Sequence, residues 1–142
     1  MVGQHERLKI WQKSYDLAKE LISMTERFPR PQQHGGLASE IRQTALSLIR
    51  TVMLANGSQG TAVNQDLDQE IDYLQVIVRL ARDLRYISIG QYEIVSQRIA
   101  ELGKMNGGWM KTKRADTHGL NCQIAARHPF LRVAFEPCEA TP

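Results

Sequence analysis

Apolar residues return every third or fourth position through four successive blocks of about twenty residues, and no block shows strand-like alternation. The first block runs from about His5 to Phe28, with one stripe at Leu8, Trp11, Tyr15, Ala18 and Ile22 and a second at Leu17, Leu21, Met24 and Phe28. Pro29 and Pro31 end it, because proline supplies no N–H and its ring collides with the preceding turn. The second block, about Leu37 to Asn56, places Leu37, Ile41, Ala45, Leu48, Val52 and Ala55 on one face and stops at Asn56-Gly57. A small, polar linker leads to the third block, about Gln65 to Tyr86. The fourth opens at Ser88, with Gln91 three residues on as a capping box, and runs to about Lys113. Four amphipathic helices on short connections predict an all-α, antiparallel up-down four-helix bundle over residues 5–114.

The end of the fourth block breaks the pattern. Gly103, Gly107 and Gly108 fall within six residues beside Trp109, and each glycine inside a helix costs roughly 0.8–1 kcal/mol against alanine. Close approach of another backbone would repay that cost, with Trp109 as a large anchor. The segment is not a phosphate loop, which would precede a helix and carry Lys-Ser/Thr behind its glycines.

The third block carries two apolar stripes. Leu67, Ile71, Leu74, Val78 and Ala81 form one, and Tyr73, Ile77, Leu80 and Leu84 lie beside them. Together they span about half the circumference, wider than the ~100° a surface helix needs. The surplus points to contacts between subunits. Asp66, Asp68, Glu70 and Asp72 near the start of this block are read as favouring the positive end of the helix dipole.

Charge is the remaining signal. The chain of 142 residues has a formal net charge of +3. Up to Arg114 there are 16 Lys and Arg against 12 Asp and Glu; beyond it there are 2 against 3. The basic excess therefore resides in the bundle. Arg79, Arg82 and Arg85 end the third block, Lys104, Lys111, Lys113 and Arg114 end the fourth, and Arg42 and Arg50 lie off the main stripe of the second. In an antiparallel bundle the first two groups sit at opposite poles. These nine residues are the candidate contacts to nucleic acid or a partner, by attraction to phosphate that does not depend on base sequence.

No catalytic or metal constellation stands out. His5, His34, His118 and His128 do not share a helix face, and no serine sits in a nucleophile elbow. Arg30 and His34 resemble the spacing of helical RNases only incidentally, with Pro31 between them. Cys122 and Cys138 lack zinc-ligand spacing, and their pairing stays open. No cofactor is expected. There is no apolar signal region and no run near the ~20 residues of a membrane span, so a cytoplasmic location without membrane contact is the expectation. Residues 115–142, with a short apolar run from Phe130 to Phe135, are expected to form a poorly structured C-terminal extension.

Several segments carry a resemblance. Leu8-Lys9-Ile10-Trp11-Gln12-Lys13-Ser14-Tyr15, Phe28-Pro29-Arg30, Leu37 to Gln43, and Leu84 to Ser88 followed by Tyr92 resemble the four-helix-bundle proteins encoded in rRNA intervening sequences. Ile49 to Asn56 and the Gly-Gly-Trp ending are more similar to the accessory variability determinant (Avd) of diversity-generating retroelements. The resemblance covers about residues 8–113. It implies a basic, homopentameric, barrel-like assembly that binds a reverse transcriptase and nucleic acid, either template RNA or cDNA, and supports mutagenic copying without being an enzyme. Tyr73, Ile77, Leu80, Leu84, Gly107, Gly108 and Trp109 are then the candidate oligomer and packing residues. The alternative is an intervening-sequence-type structural module with an unknown partner.

Overall fold

The computed structural model describes the backbone of residues 4–127 and the side chains of residues 9–116. The elements are α1 (Gln4–Thr25), a single turn α2 (Arg30–Gln33), α3 (Gly36–Asn56), α4 (Ala62–Asp83) and α5 (Ile89–Arg127). The long helices pack in chain order, α1 on α3, α3 on α4 and α4 on α5, and α5 closes the square against α1. Among the described residues there are no strands. This is the antiparallel up-down four-helix bundle that the periodicity predicts.

One stripe of each helix fills the interior. Leu17, Leu21, Met24 and Phe28 from α1 meet Ile41, Ala45, Leu48, Val52 and Ala55 from α3. Leu67, Ile71, Leu74, Val78 and Ala81 from α4 and Val95, Ile99 and Leu102 from α5 complete the core. Each Leu or Ile buried this way contributes about 1.5–3 kcal/mol over leaving it in water. Surface ion pairs such as Lys13–Glu101 and Arg98–Glu20 join α1 to α5 but are worth far less.

The two poles are built differently. At one, α1 tightens at its end through bonds from Arg27 N to Met24 O and Phe28 N to Thr25 O before Pro29 stops it. Gln33 then donates to the carbonyls of Glu26 and Phe28. Arg42 reaches back from α3 to donate to Thr25 Oγ1 at 2.8 Å and to the Gln33 carbonyl at 2.6 Å. The α4–α5 connection closes the same pole, where the Phe28 and Tyr86 rings meet at 5.3 Å. Ser88 Oγ accepts from Gln91 N, the cap that the sequence signals at the start of α5.

Two boundaries differ from the sequence reading. α4 begins at Ala62, so its first turn holds no acid and the dipole does not explain the acidic cluster. Glu70 instead lies two turns in, where its Oε1 accepts from Ser47 and Thr51 of α3; its Oε2 is buried without a partner. α5 continues to Arg127, well past Lys113. Regular i to i+4 bonding can run on without an apolar stripe, so the end of the periodicity does not mark the end of the helix. The expected poorly structured extension spans residues 115–142; its residues 115–127 continue α5, which corrects that part, while residues 128–142 lie outside the described residues, as does the pairing of Cys122 with Cys138.

Arg85 holds a left-handed conformation, with φ 63°. Tyr86 N bonds to Ala81 O and Arg85 N to Arg82 O, which is a Schellman ending to α4. Glycine is the usual residue at that position, because any Cβ there costs roughly 1–2 kcal/mol. Arg85→Gly is expected to raise stability by about 0.5–1 kcal/mol after the extra chain entropy of glycine is deducted. Urea denaturation measures this; an unchanged or lower midpoint would contradict it.

Candidate functional surfaces

The glycine-rich ending of the fourth block is a polar lock seen from behind. Asn106, Trp109 and Lys113 stand at i, i+3 and i+7, one face of α5, and that face points inward. Asn64, in the first turn of α4, is fully buried opposite them. Its Nδ2 donates to Asn106 Oδ1 at 3.0 Å, and Asn106 Nδ2 donates back to the Asn64 carbonyl at 2.9 Å. The Lys113 ammonium donates to Ala55 O at 2.7 Å, Gly60 O at 3.2 Å and Asn64 Oδ1 at 2.7 Å. It also sits 4.6 Å from the Trp109 ring centre. Three N–H groups thus find three acceptors. Two of these are carbonyls at the end of α3 and in the connection after it, where a cation suits the negative end of the α3 dipole.

The glycines lie on the other side of this helix. A Cβ added at Gly107 or Gly108 would meet nothing within 4 Å, and at Gly103 only Ile71 Cγ2 at 3.7 Å, an ordinary contact. Close packing within the chain therefore does not explain Gly107 and Gly108, and that expectation is corrected. Trp109, by contrast, is an interior anchor, only 6% exposed.

The nine candidate cations divide. Lys113 is interior, and Arg42 spends its donors on Thr25 and Gln33, so both are corrected from surface contacts to structural residues. Arg82 donates to Asp83 at 2.8 Å and stacks 4.4 Å from the Tyr92 ring centre; the bond to Asp83 raises its pKa further. Arg79 lies 4.0 Å from the same carboxylate. Arg50, Arg85, Lys104, Lys111 and Arg114 are exposed. Arg79, Arg82 and Arg85 share the pole of the α4–α5 connection, and Lys104, Lys111 and Arg114 lie toward the opposite one, as the antiparallel arrangement requires. Sequence reasoning passed over Arg27 and weighed Arg30 only beside His34, as an incidental RNase-like spacing; both arginines follow the end of α1 at the first pole.

Apolar surplus lies outside, though not everywhere the stripes predict. Ile77 is corrected: it is 4% exposed and belongs to the core against α3. Tyr73, Leu80 and Leu84 are exposed on α4, joined by Val76. Tyr73 donates its hydroxyl to Glu40 at 2.8 Å, and that carboxylate raises the phenol pKa. A second apolar face crosses from α1 to α3. Trp11 stands two heptads before Thr25, on the flank that meets α3, and it stacks on Tyr15 at 5.4 Å. Leu46 and Met53 of α3 are 54% and 61% exposed, and both lie off the core stripe. The second-block pattern hid these two, because the eye follows the core stripe. Ile89 is exposed at the start of α5.

Among the described residues, no group of three His, Cys, Asp or Glu side chains could hold a metal ion, and no helix is long and apolar enough to cross a membrane. The fold defines the chain as a four-helix bundle with a buried polar contact among Asn64, Asn106 and Lys113. Residues 8–113 match the bAvd-like family model, and the chain belongs to that family. No curated protein matches it.

Two outcomes follow from this geometry. Lys113→Met removes three donors and strands their acceptors, so stability should fall by about 2–3 kcal/mol. A loss below about 0.5 kcal/mol in urea denaturation would contradict the lock. Gly107→Ala and Gly108→Ala should each raise stability of the isolated subunit by about 0.8–1 kcal/mol; a loss would mean that their open side is covered in solution.

Proposed function

We propose that this chain is a non-enzymatic accessory protein of a diversity-generating retroelement, acting in the cytoplasm. In this reading it assembles into a ring, a homopentamer as in the Avd-like proteins it resembles. It binds the reverse transcriptase and nucleic acid through its outer faces and supports mutagenic copying of template RNA into cDNA. The match to the bAvd-like family over residues 8–113 carries this reading.

The distribution of exposed apolar side chains supports the assembly. Trp11, Tyr15, Leu46 and Met53 form one apolar face and Tyr73, Val76, Leu80 and Leu84 another, on different helices of the square. Two unlike faces on one subunit favour head-to-tail contacts, and such contacts generate rings when the rotation closes. Exposed Lys104, Lys111 and Arg114 supply charge without disturbing the core, so each subunit added to a ring adds to its pull on phosphate.

The test is co-purification with the reverse transcriptase of the same locus, followed by cDNA synthesis from template-repeat RNA with and without the protein. Capture of the enzyme and stimulated synthesis are expected. A protein that neither binds the enzyme nor changes synthesis would contradict the reading and favour a structural module of the intervening-sequence type. Light scattering should give about 80 kDa, five times the 16.1 kDa chain. Leu80→Glu with Leu84→Glu should reduce that mass while the helical signal stays, since neither side chain is in the core. A 16 kDa wild type would overturn the ring.

A further inference from the structure

We infer that the pole shared by the α1–α3 and α4–α5 connections binds the phosphodiester backbone of single-stranded RNA through Arg27, Arg30 and Arg85. This rests on the nucleic-acid part of the proposed function and assigns it a place. The Phe28–Tyr86 ring contact at 5.3 Å brings the two connections together. Arg27 and Arg30 are near neighbours of Phe28 in sequence, and Arg85 adjoins Tyr86. All three are exposed, and none forms an ion pair among the described residues.

Two features set these arginines apart from ordinary solvated charge. The backbone under Arg27 and Arg30 is held by the bonds from Gln33 to Glu26 O and Phe28 O, and by those from Arg42 to Thr25 and Gln33. Their Cα positions are therefore fixed before a ligand arrives, which lowers the ordering cost of binding. Arg85 occupies a left-handed position at which glycine is favoured, and the chain keeps a long cation there at the expense of local strain. The neighbouring Asp83 is already engaged by Arg82 and Arg79, so it does not neutralise Arg85. A guanidinium is a planar fork that matches phosphate oxygens in pairs. The contact would be indifferent to base sequence, since Tyr92 at this pole is covered by Arg82.

The experiment uses full-length protein and polyuridylate as probe, with affinity measured from 50 to 300 mM salt. Arg27→Gln, Arg30→Gln and Arg85→Gly are combined, and Lys9→Gln with Lys13→Gln, exposed toward the opposite pole, serves as the control. The triple variant should lose about 100-fold in affinity near 0.1 M salt, and the slope of log K against log salt should fall by about 2, at about 0.7 per lost contact. Arg85→Gly alone should bind RNA less well while folding more stably, a combination that a damaged fold cannot produce. The control should change neither value by as much.

Three results would overturn the inference: wild-type affinity and slope in the triple variant, an equal loss in the control, or no salt-dependent binding by the wild type. Capture of the reverse transcriptase, measured on the same variants, separates the two readings. Retained capture with lost RNA binding supports the inference. Lost capture with retained RNA binding assigns the pole to the enzyme and overturns the inference while leaving the accessory role standing.

Discussion

The arrangement of this bundle depends on one buried polar contact. Asn64 and Asn106 exchange two hydrogen bonds across α4 and α5, and Lys113 joins them to the end of α3. Apolar stripes alone tolerate sliding of one helix along another, because leucine against leucine is nearly as good a turn away. A paired amide has one register in which its donors and acceptors meet, and any slip buries them unsatisfied at a cost of about 1–3 kcal/mol each. The lock thus fixes the height of α5 against α3 and α4. It also explains how a lysine can be buried: its three donors are met, a helix dipole favours it and Trp109 covers one side.

The lock also sorts which residues of α5 face out. With Asn64, Asn106, Trp109 and Lys113 turned inward, α5 presents Lys104, Gly107, Gly108 and Lys111 away from the core. The same division runs through the other helices. Phe28, Leu17 and Leu21 of α1 fill the core while Trp11 and Tyr15 do not. A single subunit therefore carries more apolar surface than its own fold consumes, together with cations that its own carboxylates do not neutralise. Both are costs for a solitary subunit and assets for one that meets partners.

The fold was legible because helical periodicity reports burial directly. Leu67, Ile71, Leu74, Val78 and Ala81 are all interior, as their spacing requires. The roles of single polar residues were not legible. Lys113 reads as one more charge in a basic cluster, yet its seven-residue step from Asn106 was the available signal, since both then share a face with Trp109. Gly107 and Gly108 drew attention by their cost, and they lie on the open side. The nearness of Arg27 and Arg30 to Arg85 was not legible, because proximity of two loops is a property of the packed bundle, set by Phe28 against Tyr86 and by no local pattern. The acidic run at residues 66–72 illustrates a further limit. The helix starts at Ala62, a few residues before the first acid, and that shift changes a dipole argument into a contact between Glu70 and α3.

Amide hydrogen exchange along α5 tests the lock most directly. If Asn106, Trp109 and Lys113 bind this segment into the cooperative core, the amides of residues 103–113 should exchange as slowly as those of residues 71–81, through global unfolding. Lys113→Met should release the first group ahead of the second. Fast exchange of residues 103–113 in the wild-type chain, with residues 71–81 still protected, would contradict a lock at this end of the bundle.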